Sequence, residues 1–109
     1  MRYFKNIITT LELFGEATGC IESIIIFGSR ATGLNEFDSD IDIAIEIGSP
    51  GEENSKDAAW HFHHEEWKQE LQKYIPYKIS INRYREESKT ELMQNIRKHG
   101  VIAYKIKHI

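Results

Sequence analysis

Isoleucines alternate strictly with other residues in Asp40-Ile41-Asp42-Ile43-Ala44-Ile45-Glu46-Ile47. A period of two is that of a strand, because successive side chains leave opposite faces of the pleat. Residues 40–47 are therefore predicted as a strand whose isoleucines seek a core, while Asp40, Asp42, Ala44 and Glu46 share the other face. An earlier apolar run, Ile24-Ile25-Ile26-Phe27, marks another strand over 22–27, closed by the turn Gly28-Ser29. Before it, Phe4, Ile7, Ile8, Leu11 and Phe14 recur at helical spacing, which predicts a helix from residue 2 to about 18, stopped by Gly19. A short helix is expected to begin at Ser29, with its free N–H groups facing the turn.

Gly48-Ser49-Pro50-Gly51 breaks the second strand, and the polar run to Lys56 reads as a loop. A long helix is expected from about Asp57 to Tyr74, with Trp60, His64, Trp67, Leu71 and Tyr74 along one stripe, and Pro76 ends it. Residues 77–82 form a third strand. Ile79 and Ile81 face the core there, and Ser80 and Asn82 share the opposite face. Ser88-Lys89-Thr90-Glu91 matches a capping box for a last helix bearing Leu92, Ile96 and His99, with Gly100 as terminator. Val101 to Ile106 reads as an extended tail or edge strand. These elements define an α/β class: a small mixed sheet with helices packed mainly on one face, in one domain spanning 1–109.

The face carrying Asp40 and Asp42 sets two carboxylates side by side, where their charges repel. A cation relieves that repulsion, and Mg²⁺ is held by one or two carboxylates together with substrate phosphates. Ten residues separate Ser29 from Asp40. A Gly-Ser turn offers backbone N–H groups and a hydroxyl to phosphate oxygens. Asp-x-Asp on a strand face or Gly-Ser in a turn alone would be an ordinary surface feature; together, at this spacing, they describe a site for a nucleoside triphosphate and Mg²⁺.

Gly28-Ser29-Arg30-Ala31-Thr32-Gly33, followed by Asp40-Ile41-Asp42, resembles the signature of the minimal nucleotidyltransferase (MNT) family, relatives of DNA polymerase beta. The resemblance is specific over Ile24–Ile47 and extends in order of elements over nearly the whole chain. It implies a polymerase-beta-like fold and transfer of a nucleoside monophosphate, AMP from ATP, to an acceptor hydroxyl. It assigns triphosphate binding to Gly28, Ser29 and Arg30, and catalysis through Mg²⁺ binding to Asp40 and Asp42. It also implies a HEPN-type protein partner, with the MNT chain as the antitoxin that adenylylates a tyrosine of the HEPN toxin. The Arg-to-His ribonuclease signature of the HEPN toxin itself is absent from this sequence.

One departure bears on turnover. Where the family carries a third carboxylate after Pro-Tyr-Lys, this chain reads Pro76-Tyr77-Lys78-Ile79-Ser80. A serine hydroxyl is a poor Mg²⁺ ligand and no ready base for an attacking hydroxyl. Catalysis by two ions requires both to be held. Glu46 shares the face of Asp42 but lies four residues on, roughly 13 Å along the strand at ~3.3 Å per residue, too far to replace the missing acid. Three functions follow as alternatives: an adenylylating antitoxin, an impaired fold that neutralises its partner by contact alone, or a transferase acting on a tRNA end or a small molecule.

Composition narrows the field further. With 109 residues, 40% hydrophobic, 28% charged and a net charge of −3, the chain has the make-up of a globular domain without a global basic field for nucleic acid. Arg83, Arg85, Arg97, Lys98, Lys105 and Lys107 make the last third locally basic, which reads as solvated surface, the alternative being contact with a triphosphate or an RNA end. The single Cys20 permits no intrachain disulfide and fits a cytoplasmic setting. No apolar run reaches membrane-spanning length, and the N-terminal residues read as helix rather than a secretory leader. His61, His63 and His64 with Glu65 and Glu66 lack the four-ligand arrangement of a structural metal site and read as a half-exposed helix face. Trp60, Phe62 and Trp67 exceed what one small sheet needs and are expected to offer apolar surface to a protein partner.

Overall fold

A computed structural model of the protein describes residues 2–28, 40–49 and 55–107. The elements run α1 (Arg2–Ala17), β1 (Ile21–Phe27), β2 (Ile41–Ile47), α2 (Lys56–Gln72), β3 (Ile79–Arg83), α3 (Glu91–His99) and β4 (Val101–Lys105). The four strands form one sheet in the order β3-β2-β1-β4. β1 is antiparallel to β2 and to β4, while β2 and β3 are parallel. The architecture is the mixed α/β sheet expected, and each strand lies within one or two residues of its predicted position. The short helix expected at Ser29 falls outside the described residues.

The main core lies between the sheet and the two long helices. Ile41, Ile43, Ile45 and Ile47 project into it with Ile24 and Ile26 of β1, Ile79 of β3, Ile7 and Leu11 of α1, and Trp67 and Leu71 of α2. The alternation in β2 sends its remaining side chains to the other face. That face is not bare. Met93 and Ile96 of α3 pack there against Ile25, Ala44 and Tyr84, with Phe27 at the margin. Among the described residues, helix α3 thus covers the middle of the second face, and its buried contacts there do not include Asp42 or Ser80. Gly100 permits the close approach of α3 to β1, since a Cβ there would stand 2.5 Å from Ile25 Cγ2.

Three helical details differ from expectation. The capping box does not form: Thr90, not Ser88, is the N-cap of α3, and its hydroxyl accepts from the Met93 N–H at 3.3 Å. Within the helix Met93 and Ile96 face the sheet, and Leu92 and His99 are exposed. Losing an N-cap costs about 1 kcal/mol. Thr90→Ala is therefore expected to lower unfolding free energy in urea by about that amount, whereas Ser88→Ala should leave the midpoint within error. Finally, α2 stops at Gln72, and Tyr74 in the following turn is 67% exposed instead of extending the apolar stripe.

The aromatic surface of α2 is smaller than expected. Trp67 is 5% exposed and belongs to the core, Trp60 is half-buried against it, and Phe62 is 68% exposed. The histidines also stack at home, His64 on Trp60 at 5.2 Å and His63 on Trp67 at 5.6 Å between ring centroids. Among the described residues no group of three or more His, Cys, Asp or Glu side chains could hold a metal ion, and no helix is long and apolar enough to cross a membrane.

Candidate active site

Gly28 ends β1 in the left-handed region, at φ 78°. Its position in the sheet explains why glycine stands there. Phe27 pairs with Asp42 of β2, and a Cβ on Gly28 would come within 2.4 Å of Asp42 Oδ2. The missing side chain is the space the carboxylate occupies. Gly28→Ala imposes left-handed strain of about 1–2 kcal/mol and displaces the Asp42 carboxylate. The expected result is a loss of stability of that order in urea unfolding, together with weaker nucleotide binding.

Asp42 pairs on its other side with Ser80 of β3. Paired positions share a face, so Phe27, Asp42 and Ser80 stand in a row across three adjacent strands, and Gly28 lies next to that row against the Asp42 carboxylate. Asp40 immediately precedes β2 and is exposed, whereas Asp42 and Ser80 are half-buried. Burial holds the Asp42 carboxyl above the usual carboxylate range, and the charge of Asp40 adds to the effect. The repulsion expected from the alternation is thus present but secondary to burial, and a cation would relieve both.

The donor set suits one Mg²⁺ shared with substrate phosphates. It comprises two carboxylates, a glycine cradle that keeps one of them in place, and a neutral hydroxyl alongside. Nothing among the described residues supplies a third acid. Glu46 is committed elsewhere: it accepts a hydrogen bond from the buried Ser23 hydroxyl at 2.9 Å. Ser29 and Arg30, the remaining triphosphate-binding candidates, lie outside the described residues.

Sequence reasoning missed the residue that sets the start of β3. The Gln72 side chain donates to the carbonyls of Ile75 (3.0 Å) and Tyr77 (2.7 Å) and accepts from the Ile79 N–H at 3.2 Å. One amide thus ties the end of α2 to the residue before Ser80. A glutamine in the last helical turn before an X-Pro turn was the available signal, and it is a faint one. The basic residues of the last third are partly spent inside the fold. Arg83 and Arg85 both bind Asp57, which holds that carboxyl below the usual range, chiefly through the Arg83 hydrogen bond. Arg97 donates to the Tyr84 hydroxyl at 2.9 Å and to the Glu86 carbonyl at 3.0 Å.

Two carboxylates, Asp40 just before β2 and Asp42 within it, thus stand at the end of β1 beside Gly28. The chain belongs to the polymerase beta nucleotidyltransferase family, whose model matches residues 5–109. Two solved structures share its fold. One is described as a crystal structure of a toxin-antitoxin with AMP-PNP; it is 24% identical, covers 94% of this chain and 73% of its own, and superposes with a TM-score of 0.61. The other is a toxin-antitoxin MntA-HpeT mutant in which two aspartates two positions apart are replaced by glutamate; it is 20% identical, covers 95% of this chain and 74% of its own, with a TM-score of 0.60. No curated protein matches the chain at a significant level.

Proposed function

We propose that this chain is a Mg²⁺-dependent nucleotidyltransferase that transfers AMP from ATP to a hydroxyl, the acceptor being a tyrosine of a HEPN-type toxin for which it serves as antitoxin. The observation that carries the reading is the Asp42 carboxylate seated against Gly28 at the end of β1, with the charge of Asp40 acting on it. Family membership supports the chemistry, and the toxin-antitoxin neighbours, one of them with AMP-PNP, support the nucleotide and the partner.

In this reading Gly28, Ser29 and Arg30 hold the triphosphate, and Asp40 and Asp42 hold the ion. When bound, Mg²⁺ neutralises phosphate charge as the α-phosphorus is attacked. Gly28 lets the backbone approach the Asp42 carboxylate, and Gln72 keeps β3 in register beside it. Incubating the chain with Mg²⁺, ATP and a co-expressed HEPN-type partner should add one AMP to a partner tyrosine by mass spectrometry. An unmodified partner that is nonetheless neutralised in a tight complex would favour the second reading, neutralisation by contact alone. Ser80 at the place beside Asp42 is the observation that favours it.

A further inference from the structure

Strand β3 lies at one side of the sheet, with β2 as its single neighbour. The Ile41 N–H donates to the Lys78 carbonyl at 2.8 Å, and the Tyr84 N–H donates to the Ile45 carbonyl at 2.8 Å. Ile41 is level with Ile79 and Ile45 with Arg83. In a parallel ladder the backbone groups of alternate residues turn to opposite sides. Residues 78, 80, 82 and 84 therefore turn theirs to β2, and residues 79, 81 and 83 turn theirs outward. The Ile79 N–H is taken by the Gln72 side chain at 3.2 Å. Among the described residues, no hydrogen bond meets the Ile79 carbonyl, the Ile81 N–H and carbonyl, or the Arg83 N–H. Such an edge is a template for a further strand.

The row that an added strand would join decides what the strand carries. Phe27, Asp42 and Ser80 share one face across β1, β2 and β3. A strand on the outer edge of β3 extends that row by one position. One of its side chains then stands on the Asp42 face, two strand spacings, about 9.6 Å, from the Asp42 backbone. Serine and threonine are too short to bridge that gap, whereas a tyrosine is long enough to reach across the short residue at position 80. The positions before and after it fall on the core face. There Ile81, half-buried at the margin of the main core, offers them apolar surface. We propose that the outer edge of β3 docks the acceptor protein, which adds an extended segment bearing a tyrosine between two apolar residues. This rests on the nucleotidyltransferase reading above. Main-chain hydrogen bonds to Ile79, Ile81 and Arg83 hold the segment, and alternation turns its tyrosine to the Asp42 face. A second copy of this chain does not fit the role, because its β3 would bring only Ser80 and Asn82 to that face.

The test uses the full chain and a synthetic peptide, Lys-Thr-Val-Tyr-Val-Thr-Lys, in excess. Amide hydrogen exchange followed by NMR reads the edge directly. In the free chain the Ser80 and Asn82 amides, bonded to β2, should exchange slowly and those of Ile81 and Arg83 fast. The peptide should slow Ile81 and Arg83 by about tenfold or more. With Mg²⁺ and ATP, mass spectrometry should place one AMP on the peptide tyrosine, and a peptide with serine in its place should gain nothing. Ile81→Pro removes an outward N–H and keeps the groups that pair with β2. It should lower transfer to the peptide about tenfold, the order expected for one lost main-chain hydrogen bond, with Mg²⁺–ATP binding by calorimetry unchanged. Ile81→Val keeps the N–H and should transfer as the wild type does. The exchange measurement on the wild type stands even if Ile81→Pro does not fold. Ile81 and Arg83 amides already protected in the free chain, amides unaffected by the peptide, or full transfer by folded Ile81→Pro overturns the proposal and leaves the nucleotidyltransferase reading standing. Absence of any Mg²⁺–ATP binding by the wild type overturns both.

Discussion

The double variant Asp40→Asn/Asp42→Asn is expected to show no Mg²⁺-dependent ATP binding in calorimetry, while remaining folded. Both carboxylates carry the charge that attracts the ion, and asparagine keeps their shape without it. The folded state holds the Asp42 charge at a cost, from burial first and from Asp40 second. Removing the charges should therefore raise the melting temperature at neutral pH even as binding is lost. The sign follows from linkage. A carboxyl raised in the folded state binds more protons there than in the unfolded chain, so native stability falls as pH rises from the ordinary carboxylate value through the raised one. The stabilisation of the double variant should thus be full above that window and vanish below it. Mg²⁺–ATP affinity of the wild type should fall as pH drops through the same window, because the proton competes with the ion for Asp42. Wild-type binding by the double variant would show that the aspartates are not the site.

Ser80→Asp is expected to raise transfer to an external hydroxyl by about 10²–10⁴-fold, the range by which a positioned general base changes a rate. Position 80 pairs laterally with Asp42 on an adjacent parallel strand, so a carboxylate there would stand beside the existing pair. Labelled acceptor should accumulate in mass spectrometry at an increased rate, and Asp42→Asn in the same background should abolish the gain. A charge added beside Asp42 also increases repulsion, so this variant should be less stable than the wild type without Mg²⁺ and recover when the ion is added. An efficient wild type that gains nothing from Ser80→Asp would place the missing function in another group.

The two periodicities, 2 and 3.6, act within a few residues of each other, and the features they govern were readable from the chain. The strands, the two-faced character of β2, the buried stripe Ile7–Leu11 and the placement of Asp42 and Ser80 on non-core faces all follow from local alternation and helical spacing. The glycine turn and the carboxylate pair were readable for the same reason, since their chemistry is concentrated in a few consecutive positions. Alternation assigns a side chain to a face; it does not say which strand lies next to which. The row Phe27–Asp42–Ser80 exists because β2 sits between β1 and β3 in one particular register, and a slip of one residue would have turned Ser80 to the other face. Likewise, Tyr74 is exposed because the helix stops at Gln72, whose side chain binds the turn beyond. Met93 and Ile96 rather than Leu92 are the buried positions of α3 because they reach Ile25 and Ala44 on the sheet. Trp67 is core rather than interface because α2 lies over β2 and β3. These outcomes depend on contacts between residues far apart in sequence, whose energies enter only once the chain has closed on itself.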